Sequence, residues 1–235
     1  MMNFLKAEWR KLAIINYEIN PEVLQPYLPK GTELDFYKGK CYVSLVGFMF
    51  LNTRLLGVPI PFHRNFEEVN LRFYVKKKEK GIWKRGVVFI KEIVPKPALS
   101  LVANSIYKEN YHTMPMKNQI EKREDELLIR YSWKDKNWHS IQIMAESKAK
   151  LMEENSEFEF ITEHYFGFTK KENTTSEYEV CHPKWDCYTV KEYHLEIDFQ
   201  KIYGIDFKHL NDQKPLSVML AEGSEVHVKT KKYIS

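Results

Sequence analysis

Glycine is scarce in this sequence, 9 in 235 residues, and no two are adjacent. A Gly-rich phosphate loop, a dinucleotide fingerprint, a nucleophile elbow and an HExxH motif are all missing, which sets nucleotide-dependent chemistry aside. Cysteine is scarcer: Cys41, Cys181 and Cys187 are few and odd in number, the pattern of a reducing compartment. Two of them flank His182 in CHPKWDC, but that spacing is no zinc knuckle and a second ligand pair is missing. Ordinary thiols are expected, with no metal or organic cofactor. No apolar run reaches bilayer length, and the opening MMNFLKAEWRK lacks the apolar core of a signal peptide. The expectation is a cytoplasmic protein with no membrane partner. The net charge of +4, from 36 basic and 32 acidic residues that intermingle, is too small a surplus to imply nucleic acid.

What is abundant is aromatic: 14 Tyr, 14 Phe and 5 Trp, a bias toward β structure. It also leaves assembly into a homo-oligomer open. No repeat, low-complexity tract or Gly/Ser linker divides the chain, so one domain over 1–235 is expected. Asn20 followed by Pro21 predicts a short helix closed by Pro29 and Gly31. Residues 34–37 and 41–50 read as strands around Lys38-Gly39, so the chain is expected to begin with a small helix feeding a meander. Residues 70–76 and 83–94 form a second hairpin, with the polar KKKEKG as its tip. After Pro97 the apolar spacing turns helical through Ala98, Leu99, Val102, Ala103, Ile106 and Tyr107. Strands return at 126–133, 138–145, 158–168, 177–187 and 188–199. A short helical or irregular piece at 207–211 precedes a last strand at 225–228. Short polar turns between so many strands predict a mainly β fold: a curved, largely antiparallel sheet closing into a barrel-like cavity with a few short helices.

The stretch VVFIKEIVPKPALSLVANSIYKENY carries the most specific chemistry. Its first half reads as a strand and its second as a helix, with Lys91, Glu92 and Lys96 at the junction. A lysine becomes a nucleophile when burial, a neighbouring cation or a helix amino terminus removes its proton. Lys96 precedes Pro97, the natural first residue of the helix, where an ammonium is electrostatically misplaced. The ordinary alternative is that both lysines reach water and Glu92 pairs with one of them.

EIVPKPALSLVAN is similar to the turn-into-helix segment of acetoacetate decarboxylases, where a Pro-Lys pair carries the Schiff-base lysine. The whole chain resembles the YqjF-like family of uncharacterised bacterial proteins, placed in the same superfamily. The resemblance runs through YLPKGTELDFYKGKCYVSLVGF, FEEVNLRFYV, RGVVFIKEIVPK, NYHTMPM, FITEHYFGFTKK and HPKW. It implies an acetoacetate decarboxylase-like fold around a central cavity. It places Lys96 at the Schiff-base position, although the decarboxylases follow that lysine with a second one and this chain has Pro97. Lys91 or Arg72 would then have to supply the activating cation. Glu68 resembles the carboxylate that lines the decarboxylase pocket and would orient an amine or shuttle a proton. His164, in TEHY, stands where relatives often have arginine.

Alternation puts Glu68, Asn70 and Arg72 of FEEVNLRFYV on one face of a strand. That row is either a solvated face or the wall of a polar cavity, where Arg72 would hold a substrate carboxylate bidentately. His112 and His182 are the best imidazole candidates, and His63 could reach a cavity mouth. Two functional expectations follow. One is a small-molecule enzyme in which Lys96 forms an imine with a carbonyl or keto-acid substrate, with Glu68 as its proton shuttle and Arg72, Asn70, Lys91 and His112 binding the substrate. The other is a small-molecule binding protein that keeps the cavity but not the chemistry.

Overall fold

The computed structural model describes residues 3–106, 109–171 and 174–234. The chain opens with a long strand, β1 (Asn3–Glu18), and then the short helix α1 (Pro21–Leu24), whose Asn20 side chain accepts the backbone N–H of Glu22. The short strands β2 (Glu33–Leu34) and β3 (Phe36–Tyr37) lead into β4 (Lys40–Leu55) and β5 (Val58–Pro59). A long hairpin follows, β6 (Phe66–Glu79) and β7 (Ile82–Val94), and then α2 (Pro97–Ile106). Next come β8 (Tyr111–Thr113), β9 (Met116–Arg123), β10 (Glu126–Lys134) and β11 (Trp138–Glu146), then α3 (Glu157–Thr162). The last part holds β12 (Phe166–Lys171), β13 (Thr174–Cys181), β14 (Cys187–Tyr188), β15 (Val190–Glu196), α4 (Phe199–Tyr203), β16 (Ser217–Lys229) and β17 (Lys232–Ile234).

The large sheet runs β16, β1, β4, β6, β7, β12, β13, and β13 pairs back to β16, so the hydrogen bonds close a ring. Its ladders are antiparallel except where β7 pairs β12 and β8. Closure hides the edges that so many strands would otherwise expose. A second sheet, ordered β15, β11, β10, β9, covers one side of the ring. Between the two layers lies an apolar core that includes Ile15, Leu45, Val69, Leu71, Phe73, Ile129 and Trp133. Inside the ring a second apolar cluster gathers Leu12, Phe48, Phe50, Phe66, Tyr178 and Trp185. The ring strands are therefore apolar on both faces, as in any sheet covered on both sides. Two glycines permit close approaches: a Cβ at Gly223, where φ is +81°, would lie 2.0 Å from the Trp9 carbonyl oxygen, and one at Gly167 would lie 2.1 Å from the Tyr178 ring. Among the described residues no helix is long and apolar enough to cross a membrane.

Four local expectations need correction. The chain begins with the 16-residue strand β1, not with a helix. KKKEKG as a whole is no tip: β6 continues through residues 76–79, only Lys80-Gly81 forms the tight turn, and β7 begins at Ile82. The first half of 158–168 is the helix α3: Ser156 Oγ accepts the Glu159 backbone N–H, and Glu159 in turn accepts the N–H of Asn155. That reciprocal cap overrides the strand-like run of Phe and Ile. Strand 177–187 stops at Cys181, since His182-Pro183 leads into an irregular connection. Tyr107, expected on the α2 stripe, lies outside the described residues.

Candidate functional site

The ring encloses a cavity of about 210 Å³. Its wall is mostly apolar, with Trp9, Phe48, Phe50, Phe66, Phe89 and Trp185 among the lining residues, and Phe50 stacks on Phe66 at 4.7 Å. Strict alternation along β6 sends Val69, Leu71, Phe73 and Val75 into the core between the sheets. The intervening Glu68, Asn70 and Arg72 therefore line the cavity.

A register shift between Leu71 and Arg72 in the β6–β7 ladder decides what β7 adds. Lys91 stands opposite Leu71, on the outer face, and its ammonium bonds the Ile202 carbonyl of α4. Glu92 stands opposite Asn70, and it and Phe89 both line the cavity. Two consecutive residues, Ile90 and Lys91, thus sit away from the cavity, as a bulge allows. β8 runs parallel to β7 and sets Tyr111 beside Glu92.

The polar end is a hydrogen-bonded set. Glu68 accepts from Asn70 Nδ2 at 2.9 Å on one oxygen and from the Tyr111 hydroxyl at 3.1 Å on the other. Glu109, in the connection after α2, accepts from Thr169 Oγ1 at 2.6 Å. Burial pushes the Glu68 carboxyl up to about 7, against the opposing pull of Asn70, Tyr111 and the Arg72 charge. Glu109 is likewise pushed up to about 7 by burial, although Thr169 and Tyr178 bond it. Glu92 is raised well above the carboxylate range, first by burial and then by the charges of Glu109 and Glu68. It is 2 % exposed, and its Oε2 has no hydrogen-bond partner. The same is true of Asn70 Oδ1.

Arg72 is also unsatisfied. It is 7 % exposed, forms no ion pair or hydrogen bond among the described residues, and its Nε is buried without a partner. Its guanidinium lies 5.9 Å from the Tyr74 ring centroid. A buried, unpaired charge costs several kcal/mol, roughly, unless a counter-ion enters.

His164 and His182 also line the wall. His164 bonds Asp35 at 3.2 Å, Arg85 Nε bonds the same carboxylate at 2.6 Å, and burial pushes the ring down to about 4. His182 stacks on Trp185 at 4.1 Å and is also held near 4 by burial. Both rings are neutral at pH 7.

The expected site residues are thus divided. Glu68, Asn70 and Arg72 meet in the cavity, and His63 reaches its lining. Lys91 is on the opposite face. His112 follows Tyr111 outward, is exposed, and bonds Asn110 at 2.9 Å. Lys96 is half-buried ahead of α2, and the cavity-lining residues there are Ala98 and Leu99. None of the described lining residues is a lysine. Glu92, Glu109 and Tyr178 were not singled out as site residues in the sequence. A continuous apolar run, 87–90, hides the phase of β7, and nothing local marks Glu109.

Solved structures of acetoacetate decarboxylases and related enzymes superpose on the whole chain, which shares their fold. An acetoacetate decarboxylase from Legionella pneumophila gives a TM-score of 0.70 at 16% identity, covering 100% of this chain and 88% of its own. The enduracididine biosynthesis enzyme MppR, complexed with pyruvate, gives 0.68 at 8% identity, covering 100% and 91%. Residues 6–225 match the DUF2071 family of uncharacterized conserved proteins, and the chain belongs to that family. The chain is also 28% identical over 186 residues to the uncharacterized protein YqjF of Bacillus subtilis, covering 77% of this chain and 74% of that one.

Proposed function

We propose that this protein captures a small organic acid with an apolar body inside the ring, and does so without a lysine imine. The observation that carries this is Arg72: a buried guanidinium on the cavity wall with no ion-pair partner among the described residues. A ligand carboxylate supplies that partner, and a planar guanidinium takes it bidentately. The aromatic wall takes the rest of the ligand. Support for the ligand class comes also from the fold neighbour described with pyruvate, itself an oxo acid. The cavity-keeping reading is preferred over the imine reading because Ala98 and Leu99, rather than Lys96, line the cavity at the start of α2. A single domain acting in the cytoplasm fits three free thiols.

The test is titration with 4-phenyl-2-oxobutyrate, followed by calorimetry and by quenching of Trp9 and Trp185. Binding is expected in the parent and in Lys96→Ala, and a loss of at least tenfold in Arg72→Gln. A mass adduct on Lys96 after borohydride treatment would overturn the proposal, as would binding that ignores Arg72.

A further inference from the structure

The carboxyls at the polar end are not explained by ligand capture alone, because they surround an anion-binding guanidinium with groups of the same sign as the ligand. Their arrangement differs from one carboxyl to the next. Glu68 has both oxygens engaged as acceptors, by Asn70 and by Tyr111, which suits an oriented carboxylate. Glu92, its diagonal neighbour on the same face of the β6–β7 ladder, has a buried oxygen with no partner and lines the cavity. An oxygen so placed offers a proton to whatever fills the space. The Tyr111 hydroxyl lies between them, donating to Glu68 and interacting with Glu92.

We propose that Glu92 and Glu68 form an acid and base pair that enolises a 2-oxo acid held by Arg72. Glu68 takes a proton from the carbon next to the ketone, and the C–H electron pair becomes the C=C bond. The carbonyl π pair goes to its oxygen, which takes the proton of Glu92. The enol, protonated Glu68 and ionised Glu92 balance the ketone, ionised Glu68 and protonated Glu92 from which they came. No oxidant, metal or amine takes part. Reversal after exchange of the Glu68 proton with solvent returns a ketone labelled at that carbon.

The environments support opposite roles. Burial raises both carboxyls, but Asn70, Tyr111 and Arg72 pull against it at Glu68, which reaches only about 7, while the charges of Glu109 and Glu68 add to it at Glu92 and push that group further toward its neutral form. Two titratable groups pushed apart by their surroundings are the mark of an acid and base assignment. Glu109 faces the pair from the connection after α2, held by Thr169, and its charge helps to keep the Glu92 proton in place; Tyr178 faces the same groups from β13.

This inference rests on the ligand reading above, and one experiment separates the two. 4-Phenyl-2-oxobutyrate is incubated with the protein in D2O, binding is measured by calorimetry, and deuterium entry at C3 is followed by proton NMR. Binding is expected together with exchange at least tenfold faster than in buffer. Glu92→Gln and Glu68→Gln are each expected to lose the added exchange while still binding the ligand measurably by calorimetry, with far-ultraviolet circular dichroism unchanged. Lys96→Ala is expected to exchange like the parent. If the parent binds and exchange does not exceed buffer, the acid and base pair is refuted while ligand capture stands. If nothing binds, ligand capture itself fails. Exchange lost in Lys96→Ala and kept in Glu92→Gln would assign the chemistry to an imine and overturn the pair. A folded Glu92→Leu variant that still exchanged would do the same.

Discussion

Replacing Arg72 by methionine should make the ligand-free protein more stable. The guanidinium is buried, lines the cavity and has no ion pair or hydrogen bond among the described residues, so its desolvation is not recovered. An ion in such a place costs several kcal/mol in effective terms, roughly. Part is offset by the Tyr74 ring at 5.9 Å, worth about 0.5–1 kcal/mol, and part by the charge of Glu68. Methionine keeps the unbranched body and fills the space without a charge. The expected net gain is about 1–3 kcal/mol, within the range seen when buried ions are replaced by apolar residues. For a chain of this size that raises Tm by about 2–12 °C. The measurement belongs near pH 6: without Arg72 the Glu68 carboxyl, already pushed up to about 7, protonates further and leaves no stranded anion. Thermal unfolding with and without 4-phenyl-2-oxobutyrate is the assay. At a hundredfold excess over Kd the parent gains about 2.7 kcal/mol from the ligand, and the variant gains little. A clear fall in the ligand-free Tm for Arg72→Met would refute the reasoning, since it would mean that Arg72 holds the fold.

Three further outcomes are expected. Glu68 and Glu109 titrate higher in the fold, at about 7, than in the unfolded chain, so the native state binds more protons between about pH 4.5 and 7; their contribution falls as pH rises through that window, and Glu68→Gln should flatten the decline of Tm from pH 5 to 8. His164 has the opposite sign, its folded value near 4 lying below the usual 6.5, so the stability it contributes is complete above about pH 6.5 and is lost as pH falls toward 4; His164→Phe should reduce the acid sensitivity of Tm over that interval. Gly167→Ala would set a Cβ 2.1 Å from the Tyr178 ring, and displacing that ring should cost about 1–3 kcal/mol, read as a lowered Tm and as a change in near-ultraviolet circular dichroism.

Local chemistry was enough for much of the chain. Asn20 caps α1, Pro97 begins α2, and the alternation of FEEVNLRFYV puts Glu68, Asn70 and Arg72 on one face. Each of these depends on neighbours one to four residues away, so the sequence alone determines it. The mainly β class follows from the same short-range patterns repeated along the chain. The cap at Ser156-Glu159 was equally local, and an apolar run of Phe and Ile concealed it.

Tertiary structure decided which face is inside. A row of Glu, Asn and Arg is equally compatible with solvent and with a cavity until β13 pairs β16 and closes the ring. That closure is a contact between segments far apart in sequence. The bulge opposite Leu71 then turned Lys91 outward and Glu92 inward, exchanging an amine for an acid at the cavity wall. A strand's side-chain period is two, so one extra residue reverses every face beyond it, and only the partner strand shows where it was inserted.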